Sequence, residues 1–392
     1  MTAVPWFASN DERRARLGAR HGLAAPVETA LEAAHAVTGL HSSDPATVYL
    51  AVWARTGAVS PADISSALYE ERSLVRIYGM RRTLWVVDRE THPLVEHSST
   101  ARMRAPQRRR MEKMVEDSGI AEDGEAWLTS ALERTERVVV EEGPILARDL
   151  GGRAPTEKLV FHNRRGELIG AARASTRALT LLALESRVIR ADPVGTWVSS
   201  QYRWSGMEQW LGGPIPSIAP DRARAELLRR WLGRFGPATE VDMRWWTGWT
   251  AAQTRRALDE IGAVEVDLPA GAGYVNADDA EAVPRAGPWA ALLPSLDPTV
   301  MGWKERDWYL GDHADQLFDR NGNAGPTVWV SGRVVGGWAQ RKTGEVAYRL
   351  LEDVGAEHTA AVEAEAARLQ DWMGDVVVTP RFATPLERAL RA

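Results

Sequence analysis

The chain has 392 residues, 44% of them hydrophobic and 26% charged, a composition typical of a folded protein of roughly two to four domains. It contains no cysteine, which excludes a disulfide framework, a cysteine-ligated zinc and a cysteine nucleophile, and its net charge of -5 argues against wholesale coating of nucleic acid. No apolar run approaches the length of a membrane span and the N-terminus lacks a signal pattern, so we expect a cytoplasmic protein.

The first 120 residues predict helices followed by a pair of strands. Residues 11–23 predict a polar helix, and Ser60 before Pro61 predicts the cap of a later one. Residues 74–80 and 83–87 predict two short strands, which give the helices before them a winged-helix outline. Two further helices are predicted from apolar spacing, by Val27, Leu31, Ala34 and Val37 and by Val48, Leu50, Val52 and Trp53.

A polar turn, His41-Ser42-Ser43-Asp44-Pro45, separates those two apolar helices. It gathers an imidazole, two hydroxyls and a carboxylate, which makes it a candidate site. The same turn is typical of a helix start, because Asp44 before Pro45 reads as an N-cap followed by a proline at the first helical position. On that interpretation His41 is only a partly buried loop histidine. The turn by itself leaves both interpretations open.

Residues 98–117 predict a helix that carries a run of basic side chains. Such a run is often a solvated face, and it is also the pattern of a surface that contacts phosphates. The basic residues of this helix are Arg102, Arg104, Arg108, Arg109, Arg110 and Lys113.

A second unit begins after Asp123, and a third has the same pattern. Gly143-Pro144 and Gly236-Pro237 each precede a predicted short helix, and each unit then runs through a longer helix into a hairpin. We interpret this pattern as an internal repeat. The predicted hairpins run from 188–190 back through 195–198 and from 264–266 back through 273–275. Residues 151–167, rich in Arg, Gly and Asn, are an insertion in the middle copy that we expect to form a flexible loop.

The last hundred residues predict a small β-rich domain with one helix. Residues 284–298 are Pro-rich, and residues 327–338 predict a hairpin with a turn at Ser331-Gly332-Arg333. Further strands are predicted at 345–351 and 376–379, on either side of a helix at 357–373.

The usual catalytic signatures are absent from the sequence. It has no Walker loop, no Rossmann glycine fingerprint, no His-Glu-x-x-His helix and no Gly-x-Ser-x-Gly elbow. His92 and His97 lack the spacing of a helical metal pair. We therefore expect no cofactor and no metal.

Several segments of the chain, taken in their order and spacing, resemble the AlkZ/YcaQ-like family of winged-helix DNA glycosylases. The resemblance extends over almost the whole chain, although each segment is short. In that family the positions of His41 and Ser43 usually carry glutamines, or a glutamine and an aspartate, and Trp85 stands where members often have histidine. The segments are Gly39 to Pro45, Tyr49 to Arg55, Ala67-Leu68-Tyr69, Arg72 to Arg76, Met80 to Leu84, Leu292 to Pro298 and Gly332 to Gly336.

The resemblance implies an α+β fold, with three tandem winged-helix units and a small C-terminal β-barrel-like domain arranged around a DNA duplex. We accordingly expect units at residues 10–120, 121–212 and 213–283 and the β-rich domain at 284–392. A monomer is expected.

It also implies hydrolysis of the N-glycosidic bond of alkylated bases, such as N7-substituted purines, in duplex DNA. His41 is then a base or orients the water, Ser43 positions it and Asp44 polarises His41. The alternative is a non-catalytic winged-helix protein that recognises damaged DNA or regulates, and a repressor is a further option. The candidate contacts to DNA are Arg76, Arg81, Arg82, Arg102, Arg104, Arg108 and Arg109.

Overall fold

The structure is a computed structural model, and it describes residues 6–163, 165–284, 286–381 and 383–392. Helices and small antiparallel sheets alternate along the chain, so the fold is mixed α+β, as expected. Within the described ranges, no helix combines the length and the apolar character needed to cross a bilayer.

The first region begins with two helices and a short strand. These are α1 (Asn10–Arg20), α2 (Ala30–Ala36) and β1 (Leu40–His41). The second helix begins later than its apolar pattern suggested, because the side chains of Thr29 and Glu32 form a capping box there and leave Val27 outside. A strand at β1 was not predicted, since two residues are too few to show a periodic pattern.

Two more helices and a hairpin complete this region. Asp44 and Ser60 cap the helices, and a proline follows each cap, as the sequence indicates. In the hairpin, β2 and β3 pair with each other, and β1 adds to the far side of β3 in the order β1-β3-β2. The elements are α3 (Pro45–Trp53), α4 (Pro61–Ser65, continued by a π turn over Ser66–Glu70), β2 (Leu74–Tyr78) and β3 (Leu84–Asp88).

The basic helix is longer than its charge run. It begins with α5 (Thr91–Val95), passes through a π turn (Glu96–Thr100) and continues as α6 (Ala101–Asp117). The predicted start at residue 98 therefore falls inside the π turn, where no capping residue marks a boundary.

The middle region departs from its predicted pattern in three places. Gly143-Pro144 leads into a strand, not a helix, and the expected loop at 151–167 contains β5, which pairs with β6 as a hairpin. The return strand lies at 202–206 and not at 195–198. The elements are α7 (Gly124–Glu142), β4 (Ile145–Leu146), β5 (Lys158–His162), β6 (Leu168–Arg173), α8 (Ala174–Leu184), β7 (Val188–Pro193), β8 (Tyr202–Gly206) and α9 (Met207–Leu211).

Tertiary packing accounts for the displaced return strand. Trp197, which we assigned to it, instead stacks on Tyr49 and packs near Trp372, outside the sheet. Tyr202 to Gly206 can pair on both edges, with β7 on one side and β4 on the other, and that second partner is not visible in the local sequence.

The third region follows its prediction. Gly236-Pro237 precedes a short helix, a longer helix ends near the expected position, and the hairpin pairs as expected from Val264 to Val275. The elements are α10 (Pro220–Phe235), α11 (Glu240–Thr247), α12 (Ala251–Ile261), β9 (Val264–Leu268) and β10 (Gly271–Val275).

The three regions share one order of pairing. In each, a short extended segment after a helix pairs with the last strand of the hairpin: β1 with β3, β4 with β8, and Ala238 with Tyr274 of β10. The repeat that we inferred for the second and third units therefore extends to the first.

The C-terminal region has a four-stranded antiparallel sheet in the order β11-β12-β13-β14, flanked by helices. Among the described residues no pairing joins β14 to β11, so this sheet does not close on itself. The hairpin with its turn at Ser331 and Gly332 and the helix near 357–373 are as predicted. The elements are β11 (Ala290–Leu293), α13 (Asp307–Leu310), α14 (Ala314–Leu317), β12 (Thr327–Val330), β13 (Arg333–Gln340), β14 (Val346–Leu350), α15 (Gly355–Met373) and α16 (Pro385–Arg391).

The strand predicted at 376–379 does not form. The buried side-chain amide of Gln340 hydrogen-bonds this backbone: its Nε2 donates to the Val376 carbonyl at 2.9 Å, and its Oε1 accepts from the Val378 amide at 2.8 Å. A side chain thus takes the place of a neighbouring strand, which a local pattern cannot reveal.

One continuous apolar core joins the N-terminal, third and C-terminal regions, with buried residues from Leu17 to Leu390. Of the 17 tryptophans, 12 are buried, in agreement with the expected packing role. Arg55 and Asp297, from two segments that carry the family resemblance, form a fully buried bidentate ion pair at 2.7 and 2.8 Å. This pair fixes the end of α3 to the C-terminal region.

Candidate active site

The polar turn at residues 41–44 lies between the end of β1 and the start of α3. His41 pairs with Trp85 across the sheet, and the Ser42 amide donates to the Leu84 carbonyl at 2.8 Å, so the first half of the turn belongs to the sheet. Asp44 Oδ1 accepts from the Ala46 amide at 3.1 Å and caps the helix. Backbone structure therefore fixes both ends of the turn.

His41 is buried, with 4% of its surface exposed, and its ring lies edge-on to Trp85 at 5.3 Å. Burial, assisted by the positive charge of Arg81, lowers the pKa of His41 to about 3. Its Nδ1 accepts a hydrogen bond from the Ser43 amide at 3.4 Å. The neutral ring then carries its proton on Nε2, so His41 is suited to donate a hydrogen bond and poorly suited to accept a proton.

Ser42 faces a cluster of tyrosines gathered around Arg76. Arg76 Nε donates to Ser42 Oγ at 2.8 Å and Nη1 donates to the Tyr69 hydroxyl at 2.8 Å, while the guanidinium lies 4.6 Å from the ring centre of Tyr202. Arg76 is buried, which places it away from the surface where we expected a phosphate contact. Arg76 instead stabilises the turn from the protein interior, through its hydrogen bond to Ser42.

Ser43 is held by its backbone and not by its side chain. Its carbonyl accepts a hydrogen bond from Arg381 Nη1 at 2.8 Å. Within the described part of the chain its hydroxyl has no hydrogen-bond partner. The hydroxyl is therefore available to a ligand or a water.

Asp44 contacts other groups than we predicted. No hydrogen bond or ion pair joins it to His41 in the described ranges, so the structure does not show Asp44 polarising the imidazole. Burial raises the pKa of Asp44, and the amide of Ala46 and the charge of Arg381 oppose that rise. Asp44 lines a small cavity that Glu387 also lines.

The two arginines at the hairpin tip differ in exposure. Arg82 is exposed. Arg81 packs its guanidinium 4.0 Å from the ring centre of Trp245, and Arg306 lies 4.8 Å from the same ring. Burial lowers the pKa of Arg81 to about 10. Arg82 is therefore the more accessible of the two to a phosphate.

The basic helix α6 presents two different faces. Arg104 pairs with Glu96 and donates to the Leu184 carbonyl, and Arg108 pairs with Glu185 at 3.3 Å, so this face is engaged with α8. Arg102 and Arg109 are exposed on the other face, seven positions apart and hence on one side of the helix.

Several residues at the site were not anticipated from the sequence. Arg190 of β7 and Tyr202 of β8 lie near the turn, and Arg381 reaches it from near the C-terminus. Nothing local marks them, since a lone Arg or Tyr is common on any surface. Within the described residues, no group of three or more His, Asp or Glu side chains is arranged to hold a metal ion.

Comparison with known proteins identifies the family of the chain. Residues 34–372 match the family described as "DNA glycosylase AlkZ-like", which is most of the chain and includes the turn. The chain belongs to the AlkZ-like DNA glycosylases. No curated protein matches it at a significant level.

Among solved structures, the Streptomyces sahachiroi DNA glycosylase AlkZ is similar, with a TM-score of 0.70 and 19% sequence identity. The match covers 93% of this chain and 97% of that one, so the two share a fold throughout. Membership in the AlkZ-like family makes this protein a DNA glycosylase by class, a hydrolase of N-glycosyl bonds.

Proposed function

We propose that this AlkZ-like protein hydrolyses the N-glycosidic bond of an alkylated, N7-substituted purine in duplex DNA, at the turn of residues 41–44. The observation that carries the proposal is that two polar groups of the turn have no hydrogen-bond partner among the described residues. The fold uses the Asp44 cap and the backbone, whereas the His41 Nε2 proton and the Ser43 hydroxyl have no structural task among the described contacts. These positions resemble those where the family usually carries glutamine.

The chemistry needs little acid or base catalysis. An N7-alkylated purine is cationic, so the bonding electrons of the C1′–N9 bond leave with the base and neutralise it. Water then adds its oxygen to the electron-poor C1′, and a proton passes to solvent. The protein must place that water and stabilise positive charge on the sugar.

The residues of the turn suit those two tasks. A neutral His41 donates from Nε2, as a glutamine amide also can, and the Ser43 hydroxyl can accept from or donate to the same water. Asp44 supplies a carboxylate near the sugar's developing positive charge. The sequence left two roles open for His41, a base or a residue that orients the water. This mechanism assigns it the second role.

We further propose that the three repeats are winged-helix units that grip a duplex, and that Arg82, Arg102 and Arg109 contact its phosphates. These side chains are exposed, and Arg102 also donates from Nη2 to the Thr247 carbonyl at 3.3 Å, whereas Arg104 and Arg108 are engaged in ion pairs. Changing Arg109 to Gln should reduce the salt dependence of DNA binding by about one phosphate contact. The matched control is R108Q, which removes an arginine already paired with Glu185. An equal effect of both variants would contradict the assignment.

Release of free base decides the proposed activity. The wild-type protein and H41A are incubated with a duplex oligonucleotide that carries one N7-methylguanine, and the free base is measured alongside a gel shift on the same DNA. We expect wild type to release the base, and H41A to bind the same DNA but release the base about a hundredfold more slowly. Binding by wild type without release would instead support the non-catalytic damage-binding protein, which the absence of both glutamines favours.

A further inference from the structure

A segment near the C-terminus covers the turn. Arg381 and α16 lie after residue 372, where the match to the AlkZ-like family ends, and they meet the turn across more than 300 residues of chain. α16 packs mainly on β13, and the C-terminal core holds it through buried Leu386 and Leu390. The segment therefore has a fixed position, and it places Arg381 and Glu387 beside the turn.

Arg381 contacts the turn at its centre. Its Nη1 donates to the Ser43 carbonyl at 2.8 Å. Ser43 is the residue whose hydroxyl we propose to position the attacking water. The charge of Arg381, together with its backbone N–H, also acts on the adjacent Asp44 carboxylate, and its charge reaches Tyr202. Arg381 thus acts on both Ser43 and Asp44.

Glu387 meets Asp44 across a small cavity. The cavity measures about 30 Å³, which is room for a single water molecule. Asp44 and Glu387 both line it, and the remaining polar lining residues are Thr47, Ser295, Gln340 and Arg391. Arg391 is itself engaged, since its Nη1 donates to the Gln340 carbonyl at 2.6 Å and to the Val378 carbonyl at 3.1 Å.

Glu387 is the residue of this cavity whose protonation can change near neutral pH. Burial, with a contribution from the charge of Asp44, raises the pKa of Glu387 to about 7, while the Thr384 amide, Arg391 and Arg388 act in the other direction. Of the other elements packed on α16, β13 brings the uncharged Gln340 to the cavity and also carries Arg333 at its start. The charged or titratable residues of α14 and β14 are the exposed Asp315 and Arg349 and the partly buried Tyr348. Near neutral pH, then, Glu387 can hold a proton beside the Asp44 carboxyl group.

We propose that Arg381 and Glu387 are positioning residues of the active site, with Arg381 fixing the Ser43 backbone and Glu387 holding the Asp44 carboxylate in place by sharing a proton through the cavity. This inference rests on the proposed glycosylase function. It extends the site to a part of the chain that the family match does not reach.

Substitution of Arg381 separates positioning from DNA contact. R381Q is compared with R381K and with the control R388Q, since Arg388 lies in the same segment and donates only to the Ala383 carbonyl within it. We expect R381Q to lower the single-turnover excision rate about tenfold, with unchanged DNA affinity and salt dependence, and R381K to restore part of it. R388Q should behave as wild type at pH 6, where Glu387 holds its proton with or without the charge of Arg388. Weaker binding with a reduced salt slope in R381Q would overturn the proposal, because it would make Arg381 a phosphate contact.

Substitution of Glu387 tests the shared proton. E387Q keeps the capping box with Thr384 but cannot ionise. Wild type should excise at a constant rate up to about pH 6.5 and lose rate as pH rises through about 7, when Glu387 loses its proton, whereas E387Q should keep its rate to pH 8.5. E387A, which removes both the cap and the proton, should be slow at every pH. The same decline in E387Q as in wild type would refute the role of Glu387.

These outcomes are distinct from failure of the proposed function. If wild type releases no base, the glycosylase assignment fails, and the contact of Arg381 with Ser43 is then tested by a measurement that does not depend on activity. The carbonyl-labelled vibrational spectrum of Ser43 in R381Q then still reports the contact, and an unchanged spectrum would contradict it. If wild type is active and R381Q and E387Q match it at every pH, the inference is wrong while the function stands.

Discussion

Two repeats of this chain place a turn at the same point and use it differently. In the first, His41 pairs with the last hairpin strand and Asp44 caps the next helix; in the third, Ala238 pairs with Tyr274 and Thr239 caps α11. The third turn passes directly from its pairing residue to its cap. The first inserts Ser42 and Ser43 between them.

The fold uses the polar atoms of the third turn fully. Thr239 and Asp242 form a capping box, and the Asp242 carboxylate also accepts from the Lys304 and Glu305 amides at 2.8 and 3.0 Å. In the first turn the cap accounts for Asp44 only, and it leaves the His41 proton and the Ser43 hydroxyl without a structural partner among the described residues. The candidate site therefore differs from the third turn because it has polar groups that the described fold does not use for hydrogen bonding.

The largest expected effect falls on the purely structural turn. D242A removes a fully buried carboxylate that accepts four hydrogen bonds from backbone and side chain, so it should lower the free energy of unfolding by about 3 kcal/mol or more. Thermal and urea denaturation measure this. The neighbouring V241A, at an exposed position, is the control. The excision rate of the folded fraction of D242A should remain that of wild type; a selective loss would give the third turn a catalytic part.

His41→Ala should have the largest effect on chemistry. We expect the single-turnover excision rate to fall about a hundredfold, because the water loses its orienting donor. H41Q supplies an amide donor at the same place and should retain most of the rate. Loss of activity in H41Q equal to that in H41A would indicate that the imidazole has a role an amide cannot fill.

Asp44→Asn should have a smaller effect on the rate and none on stability. Asparagine still caps the helix, and burial already disfavours the charge of Asp44, so the melting temperature should not fall. The excision rate should fall about tenfold because the sugar loses a nearby negative charge. A lower melting temperature at an unchanged rate would return Asp44 to the role of a cap alone.

The smallest expected effect is that of acid pH on the rate. Because the pKa of His41 is lowered to about 3, the ring stays neutral and the rate constant should be flat between pH 5 and 6.5. A tenfold fall per pH unit below 6.5, after subtraction of the uncatalysed release, would show that His41 acts as a base.

Stability should respond to acid with a definite sign. The unfolded chain protonates His41 near its ordinary pKa of 6.5, whereas the folded chain does not until about 3, so this residue lowers stability as pH falls through that window. H41Q should therefore lose less stability than wild type between pH 7 and pH 5, as measured by denaturation at both.

Much of the local structure was predictable because its signals are short-range. Asp44 and Pro45, Ser60 and Pro61, and the turn at Ser331 and Gly332 each encode a boundary within a few residues, and all three are found. The misplaced strands have the opposite character. Residues 195–198 and 376–379 look extended, yet Trp197 and Gln340 make contacts with distant segments that decide what those residues do.

By itself, the sequence determined the position of the candidate site and the family to which it points, because helix caps, hairpin turns and short family segments are local patterns. Only the tertiary structure decided the state of the site. It buries His41 and so keeps it neutral, places Asp44 at a cavity that Glu387 also lines, and brings Arg381 to the Ser43 carbonyl. Protonation and hydrogen bonding depend on burial and on partners hundreds of residues away, and no local pattern records either.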